Sequence, residues 1–227
     1  MLHQISPAQT RMRTPAFAGL NAPPANLPDD RLETVGTLAS FGRDEEIFGE
    51  GELSSRLYKV ISGSVRTYKV LDDGRRQIVG FHLPGDFFGL EASDQYTVSA
   101  EALCDTNLIA MKRSTVFERA SRNKSLFERL WKITTLELLR SQSHALLLIK
   151  SAQERVQDFL LDFAERESSR DVIELPMSRQ DIADYLGLTI ETVSRTLTLL
   201  ERTGLISLPS KRRITLKNFA ALNAKRG

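Results

Sequence analysis

The chain falls into stretches of different hydrophobic period. From Glu46 to Met111, apolar and polar residues alternate in short runs, as in Arg56-Leu57-Tyr58-Lys59-Val60-Ile61 and Val65-Arg66-Thr67-Tyr68-Lys69-Val70. Alternation marks half-buried strands, because successive side chains leave opposite faces. Turn residues separate the runs at Gly49, Gly51, Gly63, Pro84-Gly85-Asp86 and Gly89. Asp73-Gly74 lies between two runs and predicts a tight hairpin with positive φ at both central residues. Closely spaced short strands predict a small antiparallel barrel or roll.

After Lys112 the period becomes helical. Ser114–Arg119 reads as a short helix, and Ser125–Lys150 runs 26 residues without Gly or Pro. At ~1.5 Å per residue this rod approaches ~39 Å. Its apolar positions, among them Leu126, Phe127, Leu130, Trp131, Ile133, Leu136, Leu138 and Leu139, cover more than one face. One stripe suits the roll and another a partner helix; pattern alone also allows a helix buried in its own domain. The length favours a homodimer, with Leu130, Ile133, Leu138 and Leu148 as candidate seam residues. A further helix spans about Ala152 to Glu167, with Val156, Phe159, Leu160 and Phe163 as its apolar stripe, and Arg166 to Asp171 reads as a loop. Residues 1–28 hold five of the eight prolines and no apolar period, which predicts a flexible arm.

The most informative stretch begins at Ser178. Ser178 is a cap for a helix, with Asp181 as its acidic partner three residues on. Ala183 is small where two helices approach, and Gly187 permits a left-handed turn. Thr189 caps a second helix, from which Val193 and Leu197 point inward. This spacing is that of a helix-turn-helix. The segment Gly204 to Leu216 then predicts two short strands around Pro209-Ser210 and the basic triplet Lys211-Arg212-Arg213, a wing. A winged helix-turn-helix lays its second helix in the DNA major groove. With Val193 and Leu197 inward, that helix exposes Ile190, Glu191, Ser194 and Arg195. Arginine pairs with both acceptors of guanine, and glutamate accepts from a cytosine amino group. Glu191 and Arg195 also suit an i,i+4 ion pair, and the two roles are compatible.

Charge agrees with this placement. From Pro176 onward nine basic residues face four acidic ones, although the whole chain carries only +2. A basic segment on a mildly acidic body suits a polyanion.

The roll, the long helix and the winged module, in that order, resemble the CRP/FNR superfamily of bacterial transcription regulators. Glu191-Thr192-Val193-Ser194-Arg195 matches the Glu-x-x-Ser-Arg recognition helix of its FNR-like branch, and the chain looks most like FixK-type activators. The resemblance covers about residues 30 to 220. It implies an α+β architecture: a cyclic-nucleotide-binding-like jelly roll over 29–122, a dimerisation helix over 123–150 and the DNA-binding module over 151–227. It also implies a twofold-symmetric TTGA…TCAA-type site in double-stranded DNA, with Glu191, Ser194 and Arg195, beside Ile190, reading bases. Ser178, Arg179, Thr189, Thr192, Lys211 and Arg212 are the expected phosphate contacts.

Family members often hold an effector in the roll. Cyclic-nucleotide binders carry an arginine near the end of a phosphate cassette, and the comparable stretch here, Gly89-Leu90-Glu91-Ala92 through Gln95-Tyr96-Thr97-Val98, has Tyr96 there. A neutral phenol cannot neutralise a phosphate as guanidinium does. Glu91 reads as a surface carboxylate, with a shifted ribose-binding acid as its alternative, Cys104 as a buried inert thiol in an apolar strand run, and His82 as the available ligand of an alternative haem-sensing reading. The expectation is a scaffold with no cofactor, no obligatory cyclic nucleotide and a contact surface for RNA polymerase. A regulator gated by an unidentified effector is the alternative.

Composition narrows the rest. Hydrophobic residues at 41% and charged residues at 26% are globular values. One cysteine permits no internal disulfide or iron–sulfur site, and His3, His82 and His144 show no metal-ligand spacing. The longest continuous apolar run of the rod, Ala145 to Ile149, is too short for a membrane span, and Met1-Leu2-His3-Gln4 lacks the layout of a secretory signal. A cytoplasmic protein is expected. No Walker loop, nucleophile elbow or His-Glu-x-x-His is present, so the expectation is a regulator and not an enzyme.

Overall fold

Eight strands make the roll, the first of them ahead of the alternating stretch: β1 (Gly36–Phe41), β2 (Glu46–Phe48), β3 (Arg56–Ser62), β4 (Val65–Val70), β5 (Arg76–His82), β6 (Phe87–Phe88), β7 (Ser99–Ala102) and β8 (Thr106–Lys112). This computed structural model describes residues 31–166, 172–219 and 222. The arm expected over 1–28, and residues 167–171 of the expected loop, lie outside the described residues. Arg166 itself closes a helix. The strands make two antiparallel sheets, ordered β1-β8-β3-β6 and β2-β7-β4-β5. Val60 and Leu108 from one sheet and Val65 and Ala100 from the other are fully buried in one cluster. Alternate side chains of both sheets thus close on a shared interior.

The β4–β5 hairpin is wider than expected. Leu71–Arg75 separate its strands, and Gly74 alone of them takes positive φ, at 83°. Asp73 instead accepts from the Arg75 amide at 3.0 Å and from Arg75 Nε at 2.7 Å. Its carboxylate folds the turn that a left-handed backbone was expected to make.

Helices α1 (Arg113–Arg122), α2 (Lys124–Leu147) and α3 (Ala152–Arg166) follow. Asn123 caps α2 by accepting from the Leu126 amide at 3.2 Å. The first turns of α2 press Leu126 and Leu130 into a cluster with Leu32, Leu57, Met111 and Val116, and Ile133 packs against it. Leu130 and Ile133, expected on a dimer seam, therefore face the roll. The reason is local: α1 and β8 leave an apolar surface that the same helical stripe covers. On other faces Phe127, Trp131, Leu138, Leu139 and Leu146 are each more than half exposed. Leu148, half-buried, is the C-cap residue of α2.

The C-terminal module consists of β9 (Val172–Glu174), α4 (Arg179–Leu186), α5 (Ile190–Arg202), β10 (Ile206–Ser207) and β11 (Arg213–Leu216). The wing is a three-stranded sheet ordered β10-β11-β9, one strand more than the two predicted. A continuous core joins this module to the roll. Ile78, Phe81, Leu83 and Leu103 of the roll share it with Phe159 and Phe163 of α3 and with Ile182, Leu186, Val193 and Leu197. Among the described residues no helix is long and apolar enough to cross a membrane.

Candidate nucleic-acid interface

The helix-turn-helix assembles from local chemistry. Ser178 Oγ accepts from the Asp181 amide at 3.1 Å, and Asp181 Oδ2 accepts from the Ser178 amide at 2.9 Å, a reciprocal capping box. Such a cap stabilises a helix by about 0.5–2 kcal/mol. Gly187 ends α4 at φ 61°, ψ 41°, a left-handed conformation that favours glycine. Thr189 Oγ1 accepts from the Thr192 amide at 3.2 Å and starts α5. Ala183, Val193, Leu197 and Leu200 are buried, which fixes the rotation of α5 about its axis.

That rotation leaves Ile190, Glu191 and Arg195 exposed. Arg195 Nε makes only a long bond of 3.4 Å to the Glu191 carbonyl. The side-chain ion pair weighed for Glu191 and Arg195 does not form among the described residues. Both charged ends stay available to an outside partner. Ser194 is half-buried, and Arg179 Nη1 donates to its hydroxyl at 3.3 Å. The expected phosphate-binding Arg179 thus leans onto the recognition helix. Thr189 and Thr192 sit at the α5 N-terminus with their hydroxyls 3.0 Å apart, where free amides and the helix dipole favour anions. Lys211 and Arg212 are exposed on the wing between β10 and β11, where Ser210 Oγ accepts from the Arg213 amide at 3.1 Å. Thr198, Leu199 and Arg202, which are not among the expected contacts, continue the outer face and line a shallow groove with Ser194 and Arg195. Their spacing of three, four and seven residues from Arg195 was the available signal.

The roll's interior contrasts with this open face. The Tyr96 ring is buried and stacked 3.7 Å from Phe48, in a cluster continued by Tyr58 and Phe88. Its hydroxyl donates to the Arg56 carbonyl at 2.7 Å. Burial raises its pKa well above the usual tyrosine value, so it stays a neutral donor. His82 stacks on Phe88, with Nε2 3.1 Å from Thr67 Oγ1, and burial lowers its pKa to about 4. Glu91 accepts from the Thr97 amide at 3.2 Å and from its hydroxyl. Cys104 departs from the expectation: it is only half-buried and lies between β7 and β8, bordering a cleft between the roll and the wing. The neighbouring Ala102 and Leu103 take the buried positions.

Residues 154–225 match the Crp-like helix-turn-helix domain, and residues 38–123 match the cyclic nucleotide-binding domain. The nitrogen fixation regulation protein FixK of Azorhizobium caulinodans is 49% identical over 210 residues, covering 90% of this chain and 85% of that protein. The chain belongs to the CRP/FNR family of transcription regulators. FixK of Rhizobium meliloti is 41% identical, with 88% of this chain and 90% of that protein covered. The structure of FixK2 from Bradyrhizobium japonicum superposes with a TM-score of 0.80 at 46% identity, over 84% of this chain and 96% of that one. CRP/FNR membership makes DNA the partner of the α4–α5 module, in a family of regulators that is typically dimeric and not enzymatic.

Proposed function

We propose that this CRP/FNR regulator is a homodimeric activator that binds a twofold-symmetric TTGA…TCAA-type site without an obligatory small-molecule effector. The carrying observation is the outer face of α5: Glu191 and Arg195 project from a capped helix with no side-chain ion pair between them. Together with Ser194 and Ile190 they read bases, and Ser178, Arg179, Thr189, Thr192, Lys211 and Arg212 hold phosphates. The dimer seam runs along the exposed side of α2. Trp131 and Leu138, and likewise Leu139 and Leu146, repeat at the seven-residue spacing of paired helices. Effector independence is supported by the Phe48–Tyr96 stack inside the roll and by a phenol where nucleotide binders of the family have guanidinium. The roll's outer surface contacts RNA polymerase. The FixK relatives are named for regulation of nitrogen fixation, and genes of that kind are the proposed targets.

A footprint on a symmetric TTGA…TCAA duplex, with purified protein and no additive, tests the reading. Protection of both half-sites is expected, unchanged by added cyclic AMP. Protection that appears only with the nucleotide would replace this reading with a ligand-gated one.

A further inference from the structure

Helix α4 is gripped at both ends by side chains from outside the helix-turn-helix. At its start, Asp181 has two tasks. Its Oδ2 closes the capping box with Ser178, while Oδ1 accepts from Arg76 Nη2 at 2.6 Å and from Arg66 Nη1 at 3.1 Å, both on the β4–β5 hairpin. Arg76 also donates to Asp184 Oδ2, through Nε at 2.9 Å and Nη2 at 2.8 Å. Arg66 Nη2 reaches Glu101 on β7 at 2.7 Å. The Asp181 and Arg66 side chains are 5% and 10% exposed, so these charges attract in a poorly screened setting.

At the other end the unpaired carbonyls of α4 find donors. His144 Nε2 donates to the Tyr185 carbonyl at 2.8 Å, with the two rings stacked 4.1 Å apart. Arg155 Nη1 donates to the Leu186 carbonyl at 2.9 Å and, more weakly, to that of Gly187 at 3.4 Å. Its Nε holds the Lys150 carbonyl, just past the end of α2, at 2.9 Å. Arg155 therefore ties the end of α2 to the turn that aims α5. An anion at the start of α4 and a cation at its end also suit the helix dipole.

We infer that Arg76 and Arg155 are positioning residues for DNA recognition: Arg76 holds the start of α4 against the roll, Arg155 holds its end against that of α2, and through the Gly187 turn the two fix the bearing of α5. In a dimer paired along α2, this clamp sets the separation of half-sites that both recognition helices can enter together. The inference rests on the dimer and the symmetric site proposed above. One base pair added between half-sites moves the second by about 3.4 Å and turns it by about 35°. A rigid clamp cannot follow such a change, whereas a loosened one can.

The test measures affinity of the full chain for duplexes with the natural spacer and with spacers one base pair shorter or longer. A fourth duplex carries one substituted base in a half-site. Wild type, Arg76→Ala, Arg155→Ala and the double variant are compared. Leu108→Val, in the roll core away from α4, is the stability control. Wild type should prefer one spacer, and the double variant should cut that preference at least about fivefold while keeping its discrimination against the substituted base. Leu108→Val should keep both preferences. Parallel loss of affinity on every spacer, or an intact spacer preference in the double variant, overturns the clamp. So does a wild type that binds the symmetric site but ignores spacing. A wild type with no preference for symmetric over scrambled DNA would instead refute the proposed function.

Discussion

The outer face of α5 and the interior of the roll treat polar groups in opposite ways. On α5, Glu191 and Arg195 are exposed and make no ion pair with each other, so both charges remain solvated in the single chain. Inside the roll, the Tyr96 hydroxyl is already matched to the Arg56 carbonyl, and its ring stacks on Phe48 in a buried cluster with Tyr58 and Phe88. One region spends its side chains on a ligand and the other on itself. The contrast teaches how one chain can divide its polar chemistry: the part that matches the cyclic nucleotide-binding domain packs Phe48, Tyr58, Phe88 and Tyr96 into a shared buried cluster, while α5 keeps its charges outside.

The largest effect should come from emptying the self-filled region. Tyr96→Ala removes a buried ring and its hydrogen bond and should destabilise the protein by about 3–5 kcal/mol, read as a lower urea midpoint. Base preference on DNA should stay as in wild type; a changed preference would show that the roll and α5 are not independent in this respect. Next comes acid. His82 is neutral when folded, with a pKa near 4 against an ordinary 6.5, so the unfolded chain takes up the proton first as pH falls. Stability is therefore full above about pH 6.5 and falls by about 3 kcal/mol on descending to pH 4. Urea unfolding from pH 7 to 4.5 should show this slope, and His82→Gln should flatten it.

Smaller effects belong to the open face. Arg195→Ala should weaken binding to the symmetric site by roughly 1–3 kcal/mol and relax the choice at one base pair in each half-site. Lys211→Ala should cost less and cost it evenly. Cognate and scrambled duplexes should lose affinity alike, with a salt slope shallower by about one. Salt titrations on both duplexes separate the two classes. If Lys211→Ala alters base preference and Arg195→Ala does not, the helix and the wing have exchanged roles.

How much of this was readable in advance followed the range of the interactions. The capping box at Ser178, the left-handed Gly187 and the inward Val193 and Leu197 depend on neighbours within a few residues, and the sequence displayed them. The alternating runs at Arg56–Ile61 and Val65–Val70 were displayed in the same way and form β3 and β4. Strand β9 is only three residues long and exists by pairing with β11, some forty residues later, so no local period announces it. Arg66 and Arg76 lie more than a hundred residues from Asp181, and nothing in their surroundings marks them as its partners. Leu130 and Ile133 were legible as apolar but not as facing the roll, because a helix with two apolar faces does not say which neighbour takes which. Cys104 was missed for a related reason: Ala102-Leu103 form the apolar run, and the chain leaves the sheet just before the thiol.

The strip along α2 has a consequence for how a cell would operate the proposed switch. Trp131, Leu138, Leu139 and Leu146 face solvent in the single chain, and in the proposed dimer two chains have to meet before that surface is covered. Pairing by mass action makes the number of competent molecules rise with the square of protein concentration while chains are scarce. Doubling synthesis then quadruples occupancy at a weak promoter, and a modest fall in supply silences it. Sharpness of response would come from stoichiometry alone, with dosage acting as the signal.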